Sequence, residues 1–196
     1  AVYKMVIAAG AYKVMGYFDT GTAWYHWVGY AYAYGIYLFF DFAGYSLMAV
    51  GSSYMLGIET PENFRQPFIS RDIREFWDRW HITLSHWFRD FIFTRFVMYS
   101  SKKKWFSTRL QRACAGFFVD MGIMGLWHGI TPSYILYGLY HGLLLAATET
   151  YQKKSKFYKK HKNKTWYQVI SWAVTMQLVF FGFFLFSGKL MELVGF

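Results

Sequence analysis

The 196 residues are 55% hydrophobic and 24% aromatic, yet they carry 21 Lys and Arg against 11 Asp and Glu, a formal net charge of +10. That combination exceeds the apolar content of an ordinary soluble domain and points to a membrane protein. It also sets aside a nucleic-acid binder, because the basic runs alternate with segments too apolar to stay in water.

In chain order, residues 24–58 are almost continuously apolar and exceed the ~20 residues that cross a bilayer. They predict a broken pair of helices, or one long tilted helix interrupted near Asp41 and Gly44. Residues 59–67, ETPENFRQP, hold two prolines among polar side chains and predict a surface loop. From 71 to 97 charge recurs too often for a simple span, while Ile73, Trp77, Trp80, Leu84, Phe88 and Phe91 share one helical face. The expectation there is an amphipathic helix that lies in the interface or re-enters the membrane. Lys102, Lys103, Lys104, Arg109 and Arg112 cluster in residues 100–112, and seven lysines occupy 151–164. Both clusters are expected on the cytoplasmic side by the positive-inside bias, the second lying against lipid headgroups. Residues 113–129 and 133–150 predict two spans that turn around Pro132, and residues 166–187 predict a last one.

The expected architecture is therefore all-α: a polytopic helical membrane protein with broken spans and an interfacial or re-entrant amphipathic helix, residues 1–196 forming a single transmembrane domain. Lys4 and Lys13 interrupt the first apolar stretch and argue against a cleavable signal. The opening on Ala1 reads as a piece of a longer chain. The single cysteine, Cys114, falls in a predicted span and is read as packing.

The histidines carry the chemistry. His128 stands in MGLWHGI, residues 124–130, near the end of a predicted span. Gly125 and Gly129 lie four apart, so a neighbouring backbone or a ligand can approach closely on that side. Two readings stand: a structural histidine bonded to a backbone carbonyl, or a functional group, which is the default for an ionisable residue inside a membrane. Trp127 either walls that site or anchors the interface. His81 follows Trp77 by four residues and precedes Leu84 by three, so it is expected on the apolar face of its helix. His86 is five residues further, ~140° around the helix at 100° per residue, so the two do not form a zinc-chelating i, i+4 pair. No metal site is expected. His141 is read as making a structural hydrogen bond. Asp41 and Asp120, the carboxylates nearest apolar runs, are each expected to pair with a buried arginine or lysine. Asp120 precedes His128 by eight residues, ~12 Å along a helix, too far to orient that ring directly.

The stretches FFDFAGYS (39–46), TPENF (60–64), REFWDRWHITLSHWFRDFIF (74–93) and MGLWHG (124–129) resemble, in order and rough spacing, the membrane-bound O-acyltransferases. The long Trp-His block is most similar to their bacterial branch. YLFFDFAGYSLMAVG and FTRFVMYSSKKK look like its teichoic-acid D-alanyl-transfer members from Gram-positive bacteria. The resemblance implies a multi-pass protein of the bacterial cell membrane, with His128 at the active-site position and His81 at the second motif position. It implies transfer of a D-alanyl group from a phosphopantetheine thioester, carried by an acidic carrier protein on the cytoplasmic side, to a hydroxyl reached from the outer face. The acceptor would be teichoic acid or an intermediary that passes the group on. No permanently bound cofactor is implied, and membrane lipids are the surroundings.

The chemistry fits such a site. Attack on a thioester needs the acceptor hydroxyl deprotonated, and a neutral imidazole, of reference pKa ~6.5, can act as the base. The leaving thiol, of reference pKa ~8.5, departs without a strong acid. His128 is thus the expected general base and His81 a helper that holds or polarises substrate, with Trp127, Trp77 and Asp41 lining the substrate path. The basic patch Lys102, Lys103, Lys104, Arg109 and Arg112, beside apolar Val97 and Met98, would dock the acidic carrier; the positive-inside bias by itself also accounts for it. Competing readings are an acetyltransferase acting on an exported polysaccharide, a transporter or channel, and a noncatalytic scaffold.

Overall fold

The computed structural model describes residues 2–21 and 23–195. Among them the regular structure is helical throughout, in two units, Ala1–Arg65 and Gln66–Phe196.

In the N-terminal unit a π-helical turn, Tyr3–Ala8, runs into α1 (Ala9–Asp19), which folds back along α2 (Trp24–Met55). Aromatic pairs hold the hairpin: Tyr3 meets Phe40 at 5.2 Å between ring centroids and Tyr12 meets Tyr37 at 5.5 Å. The interruption expected near Asp41 and Gly44 is absent, and α2 continues unbroken for 32 residues. Asp41 is neutralised by the Lys4 ammonium. Gly44 abuts the same turn so closely that a Cβ there would lie 2.8 Å from the Lys4 backbone nitrogen. Both residues serve the hairpin contact, and neither removes a helical hydrogen bond.

The C-terminal unit begins with short pieces: α3 (Ile73–Trp77), α4 (Ile82–Phe88), a π-helical turn at Arg89–Phe93, and α5 (Thr94–Lys102). The single amphipathic helix expected over 71–97 is therefore broken, and His81 sits at the break with φ of 44° instead of on a helical face. Of the predicted stripe, Ile73, Trp77, Trp80 and Phe88 are buried but Phe91 is 49% exposed. Phe76, off the stripe, is wholly buried. Phe76 and Trp80, four residues apart, both pack on Phe183, with ring centroids at 6.2 and 4.9 Å, and α3 ends between them, at Trp77.

Two long helices follow. A capping box, Thr108 with Gln111, starts α6 (Arg109–His128), and Pro132 at the first turn starts α7 (Pro132–Lys154). They pack antiparallel across a three-residue link, and α7 also packs on α9 (Thr165–Phe186). The lysine-rich α8 (Lys156–His161) and a terminal α10 (Lys189–Leu193) complete the unit. Since α6 leaves and α7 returns, the start of α6 and the end of α7 share one end of the hairpin and bring both basic clusters there. Among the described residues α2 and α9 are long and apolar enough to cross a membrane. The helices expected at 113–129 and 133–150 are present, but Asp120, His128, His141 and Glu149 make them more polar than these two.

The α6–α7 contact depends on glycine. A Cβ on Gly138 would run into the Met121 carbonyl oxygen, and one on Gly125 into that of Tyr134. Gly138→Ala should therefore cost about 1–3 kcal/mol and lower the Tm by several degrees. Gly122→Ala on the same helix as Gly125, with nothing within 4 Å, should leave the Tm unchanged or raise it, since alanine is the better helix former. Scanning fluorimetry of the three proteins in detergent checks both outcomes.

Candidate active site

His128 is the last residue of α6. Gly129 after it takes φ of 154°, and a Cβ there would lie 2.9 Å from the Tyr134 ring, so the chain can turn tightly into α7 only with glycine at this point. The imidazole is half-buried among aromatic rings: Trp127 at 4.9 Å, Phe186 at 5.0 Å, Tyr134 at 5.9 Å and Tyr137 at 6.4 Å.

His81 comes to the same place by a different route. Its left-handed backbone costs an L-residue roughly 1–2 kcal/mol, a strain of the kind found at functional sites. The carbonyl of His81 accepts the Ser85 N–H at 2.9 Å, and the Ser85 hydroxyl donates to the Trp80 carbonyl at 3.0 Å, which ties the turn together. The half-buried ring lies near enough to His128 for the two to interact electrostatically. The break in the amphipathic segment thus brings the two motif histidines together.

Behind them stands a second polar pair. The Trp77 indole N–H donates to His141 Nδ1 at 3.2 Å, and His141 is fully buried. Accepting at Nδ1 leaves the proton of a neutral ring on Nε2, which has no partner and faces Gly182, where a Cβ would lie 2.6 Å away. The Tyr137 ring adjoins the whole group, 4.6 Å from His141, 6.4 Å from His128 and 6.5 Å from Trp77. The structural hydrogen bond expected of His141 is present.

Trp77 also lines a cavity of about 390 Å³ that runs toward the basic end of the α6–α7 hairpin. Its walls include Phe93, Phe117, Met121, Leu145 and Asp120, and its rim Arg74, Arg109, Glu149 and Lys153. Buried Glu149 is paired with Arg74 and, at 2.6 Å, with Lys153. Asp120 is buried without the cation expected of it: the Phe93 backbone hydrogen-bonds the carboxylate, and Oδ1 has no partner.

The remaining sequence candidates are spread out. Trp127 touches His128 but is 58% exposed. Asp41 belongs to the N-terminal unit, on Lys4. Val97 turns inward, lining the cavity beside Gly116, while Met98 is 67% exposed. Lys102, Lys103 and Lys104 are exposed at the end of α5, Arg109 is at the cavity rim, and Arg112 donates to the Phe106 carbonyl at 2.9 Å. Sequence reasoning misses the Glu149 cluster, although Glu149 and Lys153 have the i, i+4 spacing of a helical ion pair. Nor does it give Asp120 a cavity to face.

Comparison with known proteins adds a family. Residues 15–191 match the sequence profile described as MBOAT, the membrane-bound O-acyltransferase family. The chain is 49% identical over 160 residues to a teichoic acid D-alanyltransferase of Bacillus subtilis, covering 82% of the chain and 40% of that protein. A second, from Streptococcus thermophilus, is 42% identical over 175 residues, covering 85% of the chain and 42% of that protein. A probable alginate O-acetylase of Pseudomonas syringae pv. tomato is 38% identical over 176 residues, covering 90% and 30%. The chain thus spans about two fifths of the length of the D-alanyltransferases it matches.

The Trp77–His141 bond makes its own prediction. Trp77→Phe keeps the aromatic packing but leaves a buried acceptor unpaired, and should cost about 1–3 kcal/mol. His141→Phe leaves the indole N–H unpaired and should cost a similar amount. The double variant Trp77→Phe with His141→Phe should lose less than the sum of the two, as thermal unfolding of the four proteins will read.

Proposed function

Because the chain belongs to the membrane-bound O-acyltransferase family, we propose that it is the part of a D-alanyltransferase that holds the reacting groups, and that it moves a D-alanyl group from a phosphopantetheine thioester to a hydroxyl destined for teichoic acid. The observation that carries the proposal is the His128 imidazole set among aromatic rings, with His81 near enough to interact with it electrostatically, in a chain that is 42–49% identical to proteins so named.

His128 is the general base. It takes the proton of the acceptor hydroxyl as the oxygen attacks the thioester carbonyl, the C–S bond breaks, and the thiolate leaves and is protonated. His81 is a positioning group that holds the acceptor or polarises the carbonyl beside the base. The aromatic surround excludes water, which would otherwise hydrolyse the thioester. Trp77 lines the donor's path and Trp127 flanks the base.

The donor arm enters from the basic end. The cavity is bordered by Arg74, Arg109 and Lys153, which suits the phosphate that links such an arm to its carrier. Exposed Met98 and Lys102, Lys103 and Lys104 offer an apolar anchor and a steering charge to an acidic carrier protein on the cytoplasmic face. Val97 backs that anchor from inside, and Arg112 braces the loop between α5 and α6 through Phe106. No bound cofactor is required beyond the arm that the partner brings.

The likeness to probable alginate O-acetylases supports a second reading, O-acetylation of an exported polysaccharide, at lower identity. Membranes with the full-length protein and loaded carrier, given radiolabelled D-alanine or labelled acetyl groups, separate the two: label from D-alanine and not from acetate should reach the acceptor. His128→Ala in protein that still inserts should reduce transfer by about 10²–10⁴-fold, the usual worth of general base catalysis, and His81→Ala should reduce it less; full activity in the His128 variant refutes the mechanism. Reversing Lys102, Lys103 and Lys104 to Glu should weaken carrier binding and remove its salt dependence.

A further inference from the structure

Among the described residues, Asp120 is the one carboxylate of the cavity wall with a buried oxygen left over. It is 5% exposed and lies at the middle of α6, where a charge is expensive to bury. The cations of the rim do not relieve it. Arg74 and Lys153 are engaged by Glu149. The protein group that meets the Asp120 carboxylate is the backbone of Phe93, last residue of the π-helical turn, and such turns recur at functional sites. Oδ1 is buried without a hydrogen-bond partner. Around it the cavity is walled by Trp77, Phe93, Phe117, Met121 and Leu145, none of whose side chains can accept a strong hydrogen bond.

The other acceptors that line the cavity are exposed Asp78 and His86, half-buried Ser85 and ion-paired Glu149, so the buried carboxylate without a cation that an N–H group between these apolar walls meets is Asp120. We infer that Asp120 is a positioning residue that accepts a hydrogen bond from an amide N–H of an extended pantetheine-type arm lying in the cavity, and so sets how far the thioester reaches toward His128. The inference rests on the acyl-donor reading above. Eight residues separate Asp120 from His128, ~12 Å of helix, so with the thioester at the histidines an amide further back along the arm passes the carboxylate. That separation also puts the ammonium of a reacting D-alanyl group, two bonds from its carbonyl carbon, out of reach of Asp120. The residue reads the arm and not the acyl group.

The test uses the full-length protein in nanodiscs with S-ethyl pantetheine, a thioether that binds without reacting, and compares wild type with Asp120→Asn and Asp120→Leu. The Asn amide can keep its oxygen on the Phe93 N–H and turn a donor toward the ligand; Leu removes the acceptor. Both variants should bind the thioether about tenfold more weakly or worse, the worth of a hydrogen bond to a charged group. Their Tm without ligand should be equal to or above that of wild type, because a buried charge has been removed. In turnover, KM should rise by the same factor for D-alanyl-pantetheine and D-lactyl-pantetheine, which differ only in the ammonium.

Wild type that binds the thioether while both variants bind it equally well overturns the role of Asp120 and leaves the acyl-donor reading standing. Wild type that does not bind it at all overturns that reading and this inference together. A defect confined to the D-alanyl substrate would assign Asp120 to the ammonium and overturn the inference, and so would a fall in Tm in both variants, the sign of a purely structural role.

Discussion

The close approach of α6 and α7 is the constraint on which the rest of the C-terminal unit depends. Gly125 and Gly138 allow backbone to meet backbone, with the Tyr134 and Met121 carbonyls where side chains would otherwise be. Once the helices are this close, one face of α7 is committed to α6 and its neighbours. That face builds the site in order along the helix: Tyr134 and Tyr137 against His128, His141 against Trp77, Leu145 in the cavity wall, Glu149 at the rim. These positions follow the three- and four-residue spacing that puts side chains on one side of a helix. A single stripe thus joins the histidines at one end of the hairpin to the basic rim at the other.

Most polar groups inside this apolar chain are matched close to where they sit. Asp41 has Lys4, Glu149 has Arg74 and Lys153, and His141 has the Trp77 indole. Such pairing is what low-dielectric surroundings demand, since an unmatched charge there costs more than packing returns. Against that background the exceptions are informative. Asp120, a residue of the cavity wall, keeps a buried oxygen without a partner, and His81 holds a strained backbone with its ring near His128. Stability is given up at the places where the proposed chemistry requires a group to face a substrate.

Much of this is legible in the residues alone. The long apolar runs mark α2 and α9, since only continuous apolar surface of that length fits a bilayer. The Pro132 turn marks the joint of the α6–α7 hairpin, because proline acts through the local backbone. The approach of a neighbouring backbone to Gly125 is readable from the spacing of small residues. The Trp-His block and MGLWHG carry the family resemblance through to the profile match over residues 15–191.

Local patterns fail where a regular one yields to a neighbour. The 71–97 segment has the periodicity of one amphipathic helix, and periodicity records only which side chains avoid water. Phe183 of α9, about a hundred residues later, packs against Phe76 and Trp80, and the chain breaks at His81, where the left-handed backbone ends the helical pattern. Asp41 and Asp120 look alike in sequence, each a carboxylate in an apolar run. A lysine 37 residues away neutralises one of them, and the other lines a cavity formed by α3, α4, the π-helical turn, α5, α6 and α7. Hydrophobic content and turn chemistry are properties of neighbouring residues, so the sequence by itself determined the helices and the motif histidines. Charge pairing, the break and the cavity are properties of distant residues brought together, and only the tertiary structure decided them.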